Sequence, residues 1–384
     1  MLIAYWYRPF RRTVSNLPAI FLTRNVSSFF PLKTRELISI RGRATLDFLQ
    51  GLMTNDARRL ECKSSIIFSL FLNVKGRVVC DSLIYNIDNR DSEEPHFIIE
   101  CDSECKPNLL KLLRFYNIRK KVSISDEPSF KALTSLKPSE EDLNFNRALF
   151  VGKDPRPIPG WSWRMLGPSD AVTQPVNSAT NNEKLYQRVR YCLGLPEGAA
   201  EFRANDGLPL EANADICYGV SFNKGCYVGQ ELTARSRFVG VIRKRIAPIV
   251  FDLPVDPGSV PIESPIYRIS SSSSSVVGNR PVGWVRGIED PLTGSTKQQV
   301  GLALLRMAEC AEAISMGDHL WIDASGAETP VSAESVIECP SNRIVHPFVP
   351  FWWEDSIAVG IPRMDNPLYA HSQPVISMAR SPQQ

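Results

Sequence analysis

The chain has 384 residues, 43% of them hydrophobic and 22% charged, with a formal net charge of +3. This length suggests roughly two or three packed units, the composition is that of a globular protein, and no apolar run approaches the roughly 20 residues that cross a bilayer, which argues against a membrane span. Six of the 44 Lys and Arg and none of the 41 Asp and Glu fall in residues 1–35, so the remaining body carries 38 basic against 41 acidic side chains, a balance that argues against nucleic-acid binding.

In chain order, residues 1–35 hold Arg8, Arg11, Arg12, Arg24, Lys33 and Arg35 among serines, aromatics and aliphatics. That is the composition of a mitochondrial transit peptide or of a plain basic arm. Glu36 to Ile40 then reads as a strand, and Leu46, Leu49 and Met53 share one helical face. Two strands, 64–72 and 77–86, flank Asn73-Val74-Lys75-Gly76 as a hairpin, and another strand spans 96–101. Leu109, Leu112, Leu113 and Tyr116 make a helical stripe, followed by a strand at 121–125. This is a split β-α-β pattern, with helices over one face of an antiparallel sheet.

Residues 126–180 are rich in Pro, Ser and charge and read mainly as a connection around one strand at 147–152. Glu183 to Leu193 reads as a helix stopped by Gly194-Leu195-Pro196. From Arg245 onward short strand-like runs between Pro and Gly turns suggest a small β-barrel. Ser270 to Ser275 reads as an inserted flexible loop, and residues 339–384 as a tail, partly disordered, in which Trp352-Trp353 could dock on the body.

The nine cysteines, Cys62, Cys80, Cys101, Cys105, Cys192, Cys217, Cys226, Cys310 and Cys339, are scattered without a secretory signal, which implies reduced thiols. There is no CxxC pair, and Cys101-x-x-x-Cys105 fits two ordinary thiols better than a metal pair. The four histidines form no HExxH pattern, so a zinc hydrolase has no support.

The stretch of greatest chemical interest is Asn223-Lys224-Gly225-Cys226-Tyr227-Val228-Gly229-Gln230-Glu231. Leu232 to Arg237 are good helix formers, which places Cys226 just ahead of a helix N-terminus, where unpaired N–H groups favour negative charge. In an extended segment Lys224 and Cys226 would point to one side, so that the ammonium would add a second cationic influence on a thiolate. Gly225 and Gly229 permit a tight turn or close approach to a ligand. The alternative is a small buried cysteine in a glycine-rich turn, with Lys224, Tyr227, Gln230 and Glu231 serving loop and helix-end hydrogen bonds.

The nonamer closely resembles the K-G-C-Y-x-G-Q-E signature of the YgfZ/GcvT-related family, including its Caf17-type iron–sulfur assembly factors. The match extends upstream through Pro209-Leu210-Glu211-Ala212-Asn213-Ala214-Asp215 and Gly219-Val220-Ser221-Phe222, with weaker similarity over roughly 36–125 and 185–310. The resemblance implies an α+β, glycine-cleavage T-protein-like fold, with two α+β subdomains around a central cavity plus a C-terminal β-barrel. On this chain the units would be 36–130, 131–243 with the signature, and 244–338, followed by the tail.

Function follows two lines from that resemblance. In the first, the resemblance implies that the protein matures mitochondrial [4Fe–4S] proteins in the matrix together with A-type iron–sulfur carriers, and aconitase-type and lipoyl-synthase-type enzymes are the implied clients. Cys226, with Lys224 beside it, is then the reactive group or a shared iron ligand. One cysteine cannot hold a whole cluster, so any transient cluster would be shared with the partner. In the second, the protein is a tetrahydrofolate-dependent aminomethyl or one-carbon transferase. Glu211 and Asp215 are available by type to take a pterin's amino-pyrimidine edge. Two departures weaken turnover. Of the family's adjacent acids in the strand that here reads Val78-Val79-Cys80-Asp81, only Asp81 remains, and the acid expected within Arg188 to Gly194 is missing. A buried acid of that kind contributes about 10²–10⁴-fold in rate. A further alternative makes Cys226 a redox-sensing or persulfide-carrying thiol with no carrier partner.

Overall fold

Strands here alternate between two cores, and the alternation explains the architecture. The computed structural model describes residues 29–62, 65–87, 94–118, 120–170, 176–290, 298–325, 343–358 and 360–364. In chain order the first part is β1 (Phe30–Pro31), β2 (Arg35–Arg41), α1 (Thr45–Gln50), β3 (Ile66–Leu72), β4 (Val78–Asn86), β5 (His96–Asp102), α2 (Lys106–Tyr116) and β6 (Ser123–Asp126). The sheet runs β3-β4-β5-β2-β6, antiparallel throughout. Every residue of β4 is buried. Its period of two sends Cys80 and Ile84 into a core with Leu109 and Leu113 of α2, and Leu83 and Tyr85 into a second core shared with the rest of the molecule. The β3–β4 hairpin turns at Asn73–Gly76, where the Asn73 side chain accepts from the Lys75 and Arg77 amides.

Most of residues 1–35 lie outside the described residues, but Phe30 is fully buried and pairs with Thr134. The folded body therefore already includes Phe29 to Arg35, upstream of the limit expected at 36.

Residues 126–180 depart from the sequence expectation of a connection with one strand. They supply β7 (Phe130–Ser135), α3 (Glu140–Leu143), β8 (Phe150–Lys153) and β9 (Trp163–Pro168), which with β1 form a second sheet, β1-β7-β9-β8. The strands are short and their polar residues, such as Arg164 and Thr134, are buried, so hydropathy alone hides them. Then come α4 (Val176–Cys192), α5 (Gly198–Phe202) and α6 (Gln230–Phe238).

The third part is a closed six-stranded barrel ordered β10-β13-β12-β11-β14-β15, from β10 (Lys244–Phe251), β11 (Pro265–Ile269), β12 (Gly283–Ile288), β13 (Val300–Arg306), β14 (His319–Ile322) and β15 (Ile344–Pro347), with α7 (Met307–Met316) between β13 and β14. Ile249, Phe251, Ala303 and Leu305 join the barrel's own core, while Ile246, Val250, Leu302 and Leu304 join the core shared with α4. The sixth strand comes from beyond the expected limit at 338. A short parallel pair, β16 (Val349–Pro350) and β17 (Arg363–Met364), follows, Trp353 is buried, and the Trp352 indole donates to the Leu193 carbonyl at 3.1 Å. This part of the presumed tail is thus structural, because the barrel cannot close without β15. Residues 365–384 lie outside the described residues. The serine tract also differs from a free loop: Ser270 and Ser275 pair through their backbones and the Ser271 amide donates to Asp318.

The facing sides of the first two parts meet through charge. Arg35, Asp81 and Glu100 line the inner face of the first sheet, and Asp154, Arg156 and Arg164 come from the second part. Arg190 ends α4, and Glu197 and Glu201 flank and enter α5. Arg35 bonds Asp81 and Glu100, each at 2.9 Å. Arg164 reaches Asp154 at 3.0 Å, Glu100 at 3.2 Å and Glu197 at 3.0 Å, and donates to the Tyr186 hydroxyl at 2.6 Å. Arg156 pairs with Asp154 and Glu197, and Arg190 with Glu201, each at 2.7 Å. Burial raises the Glu197 carboxyl, but Arg156, Arg190 and Arg164 together more than offset it and hold it well below the usual range.

Breaking one partner of such a network strands buried charge, at a cost of roughly 3–5 kcal/mol. Arg164→Met should therefore lower unfolding free energy by an amount of that order in urea titrations. A loss under ~1 kcal/mol would mean that the network relaxes or hydrates freely. Asp81 gives a pH signature. Burial outweighs the pull of Arg35 and moves its carboxyl up to about 6. Between the ordinary carboxylate range, near pH 4, and about pH 6, the folded chain holds a proton that the unfolded chain has lost. This group's contribution to stability is therefore present at low pH and is lost as pH rises through that window. In urea titrations from pH 4 to 7, wild type should lose stability relative to Asp81→Asn, whereas parallel curves would contradict the assignment.

Candidate functional site

The signature segment crosses from the second part onto the first. Lys224 is buried, and its ammonium donates to the carbonyls of Gln50 at 2.8 Å, Met53 at 2.7 Å and Asn55 at 2.8 Å. These carbonyls belong to the end of α1 and the turn after it, so the lysine caps that helix. Burial pulls the amine down to about 8. The ammonium also lies 4.9 Å from the centre of the Tyr227 ring, a cation–π contact. Tyr227 is itself buried in the shared core, and burial pushes its phenol up to about 12.

Gly229 caps α6 with φ +78°, and a Cβ there would sit 2.4 Å from the Asn73 carbonyl of the β3–β4 hairpin. The close approach is reciprocal: a Cβ at Gly76 would meet the Gly229 carbonyl at 2.8 Å. Gln230 accepts from the Tyr227 amide at 3.3 Å, and Glu231 is exposed in the first turn of α6, where a carboxylate suits the helix dipole. Gly225 behaves differently from Gly229, since a Cβ there would meet nothing within 4 Å.

Cys226 is a free, exposed thiol, and it makes no hydrogen bond among the described residues. It stands ahead of α6, as the sequence predicts. The expected alignment with Lys224 does not hold: the lysine is turned inward onto three carbonyls while the cysteine faces solvent. The segment is not extended through these residues, so period-two reasoning fails there. Among the described residues Cys62 is the other exposed cysteine, and Cys80, Cys101, Cys105, Cys192, Cys217 and Cys310 are buried. Cys339 lies outside the described residues. No group of three or more His, Cys, Asp or Glu among the described residues could hold a metal ion.

The three candidate pterin-binding acids lie in three different surroundings. Asp81 accepts from Arg35 and from the Gly198 amide at 3.0 Å inside the buried network. Asp215 takes the Arg245 guanidinium with both oxygens, at 2.9 and 2.8 Å. Glu211 pairs with Lys244 at 2.9 Å. Glu211 lines a cleft of about 370 Å³ with Leu232 and Val241, and Asp215 lines another of about 590 Å³ with Arg59, Tyr218, Phe222, Arg237 and Trp352. A third cleft, about 430 Å³, opens beside the buried network at Arg35, Arg190 and Glu197. Sequence reading missed the network's acids, Glu100, Asp154, Glu197 and Glu201, because they come from separate segments with no common motif.

No family model matches the chain. Among solved structures it resembles the glycine cleavage system aminomethyltransferase T from Bartonella henselae, with a TM-score of 0.54 and 13% identity, covering 86% of this chain and 90% of that one. The fold is therefore that of the aminomethyltransferase T proteins. Among sequence relatives, the chain is 32% identical over 299 residues to the human mitochondrial iron-sulfur cluster assembly factor IBA57, covering 71% of this chain and 83% of the human one. The mouse protein of that name is 34% identical over 293 residues, covering 72% and 77%. The mitochondrial IBA57 homolog of Mycosarcoma maydis is 29% identical over 345 residues, covering 83% of each chain. The chain belongs to the IBA57 family of mitochondrial iron–sulfur cluster assembly factors.

The two glycines of the signature separate structure from exposure. Gly229→Ala, with positive φ and backbone in the way, should destabilise the fold by about 2 kcal/mol or more, while Gly225→Ala should leave the thermal midpoint near wild type. Equal midpoints for the two variants would refute the packing of Gly229 against the hairpin.

Proposed function

We propose that this protein is a maturation factor for [4Fe–4S] proteins in the mitochondrial matrix, acting with an A-type iron–sulfur carrier through the Cys226 thiol. One observation carries the reading. Lys224, Tyr227, Gly229 and Gln230 are all engaged in holding the loop, and Cys226 is displayed by it without a structural partner. A rigidly braced, solvent-facing cysteine is suited to ligand exchange. On losing its proton to water, the sulfur becomes a soft donor that can take one coordination position on an iron of a cluster whose other ligands belong to the carrier. The relatives' common name, iron-sulfur cluster assembly factor, supports the same reading. Lys224 is then the brace of the loop, and its chemistry is spent on carbonyls.

The transferase reading is disfavoured by the acids. A pterin edge asks for both oxygens of one carboxylate, yet Asp81 and Asp215 have both engaged and Glu211 has one engaged by Lys244. Asp81 and Asp215 therefore do not fit the pterin, Glu211 keeps one oxygen free on its cleft, and no step through folate follows from these residues.

The test is aconitase-type [4Fe–4S] activity in mitochondria lacking the protein and resupplied with wild type or Cys226→Ala at matched abundance. Wild type should restore activity and Cys226→Ala should leave it about tenfold or more lower. Full restoration by Cys226→Ala would overturn the proposed role of the thiol.

A further inference from the structure

Helix α6 fully buries only Thr233. At its start stands the Cys226 loop, leaning on the β3–β4 hairpin whose tip exposes Val74 at 76%. At its end, Phe238 is 70%, Val239 83% and Val241 78% exposed. The nine residues of α6 span about 13 Å at 1.5 Å per residue, so thiol and apolar loop fit within one interface of ordinary size, roughly 800 Å² per partner. Eleven large apolar side chains are exposed among the described residues, and five of them, these four and Tyr218, flank this one strip. A concentration of that kind marks an interaction surface. Contacts tie the strip together: the Phe222 and Phe238 rings lie 6.0 Å apart, and the Arg237 guanidinium lies 5.2 Å from the Phe222 ring.

The rim is basic. Lys75, Arg59, Arg235, Arg237 and Arg243 are exposed around the strip. Of the nearby acids, Asp56 is engaged by Arg58 at 2.8 Å, Asp215 by Arg245 at 2.8 Å and Glu211 by Lys244 at 2.9 Å, which leaves Glu231 on α6 and the exposed Glu354 in the cleft beside Arg237 against five cations. This runs against the body as a whole, where acids outnumber bases. An apolar centre with a positive rim is complementary to a protein face with an apolar centre and carboxylates around it.

We propose that α6, the 238–243 loop and the hairpin tip form the docking face for an acidic face of the cluster-bearing partner protein, holding its metal centre over Cys226. This rests on the maturation reading above and adds to it where the partner sits and what its surface must carry. Charge steers the encounter and the apolar loop supplies the buried area.

The experiment titrates a recombinant, cluster-loaded A-type carrier from the same organism into four full-length proteins. These are wild type, a charge variant (Arg235→Glu, Arg237→Glu, Arg243→Glu), an apolar variant (Phe238→Ser, Val239→Ser, Val241→Ser) and Cys226→Ala. Thermal melts check that each is folded, which these exposed positions should allow. Losses of about tenfold or more in affinity for both surface variants are expected, with wild-type binding falling as salt is raised. Carrier binding that is equal in wild type and both surface variants would overturn this inference and leave the maturation reading standing. If only Cys226→Ala weakens binding, the docking face is likewise refuted. If wild type does not bind the carrier at all, the maturation reading itself fails, and this inference with it. If wild type instead binds anionic phospholipid vesicles and both surface variants lose that binding, the strip faces a membrane and the protein-docking proposal is overturned.

Discussion

Four guanidinium groups and five carboxylates lie buried between the two sheets, and the architecture depends on their being paired. Arg35, Arg156, Arg164 and Arg190 face Asp81, Glu100, Asp154, Glu197 and Glu201, in a region where an unpaired charge is very costly. Apolar packing tolerates small slips between layers, but a bidentate pair does not. The network therefore fixes how the first sheet, the second sheet, α4 and α5 sit relative to one another. Arg164, among the largest fully buried side chains, touches acids from three segments.

That rigidity reaches the signature loop through short links. Asp81, in the network, lies on β4. The hairpin joining β3 to β4 carries the close approach to Gly229, and Lys224 ties the same loop to the end of α1. The first part thus offers the loop two supports, one of backbone contact and one of hydrogen bonds. Cys226 stands between them, held by its neighbours rather than by contacts of its own. Such support is what a ligand-exchange group needs, because a thiol that wanders cannot present a fixed coordination position.

The fold is shared with a structural relative, and the side chains within it are placed by their own partners. An aminomethyltransferase-like frame is present, while Asp81 and Asp215 are committed to arginines and Glu211 to a lysine. Fold does not imply activity, and in this chain the three acids are each paired with a cationic side chain.

The sequence by itself determined the elements whose signal is local. The 3.6-residue stripe of α2, the Asn73–Gly76 hairpin, the barrel's short runs between turns and the helix after Cys226 all follow from spacing and turn residues. The signature, too, was legible, because its residues are contiguous. Tertiary structure decided the rest. The second sheet was hidden because its strands are short and carry buried arginine, threonine and serine, which read as loop until their partners are known. The closing strand β15 was hidden because a barrel is a long-range property. The direction of Lys224 depended on three carbonyls roughly 170 residues away in sequence, and the fate of each acid depended on which arginine or lysine the fold brought beside it. Local periodicity reports which face of an element is apolar; only the assembled structure says which charges meet.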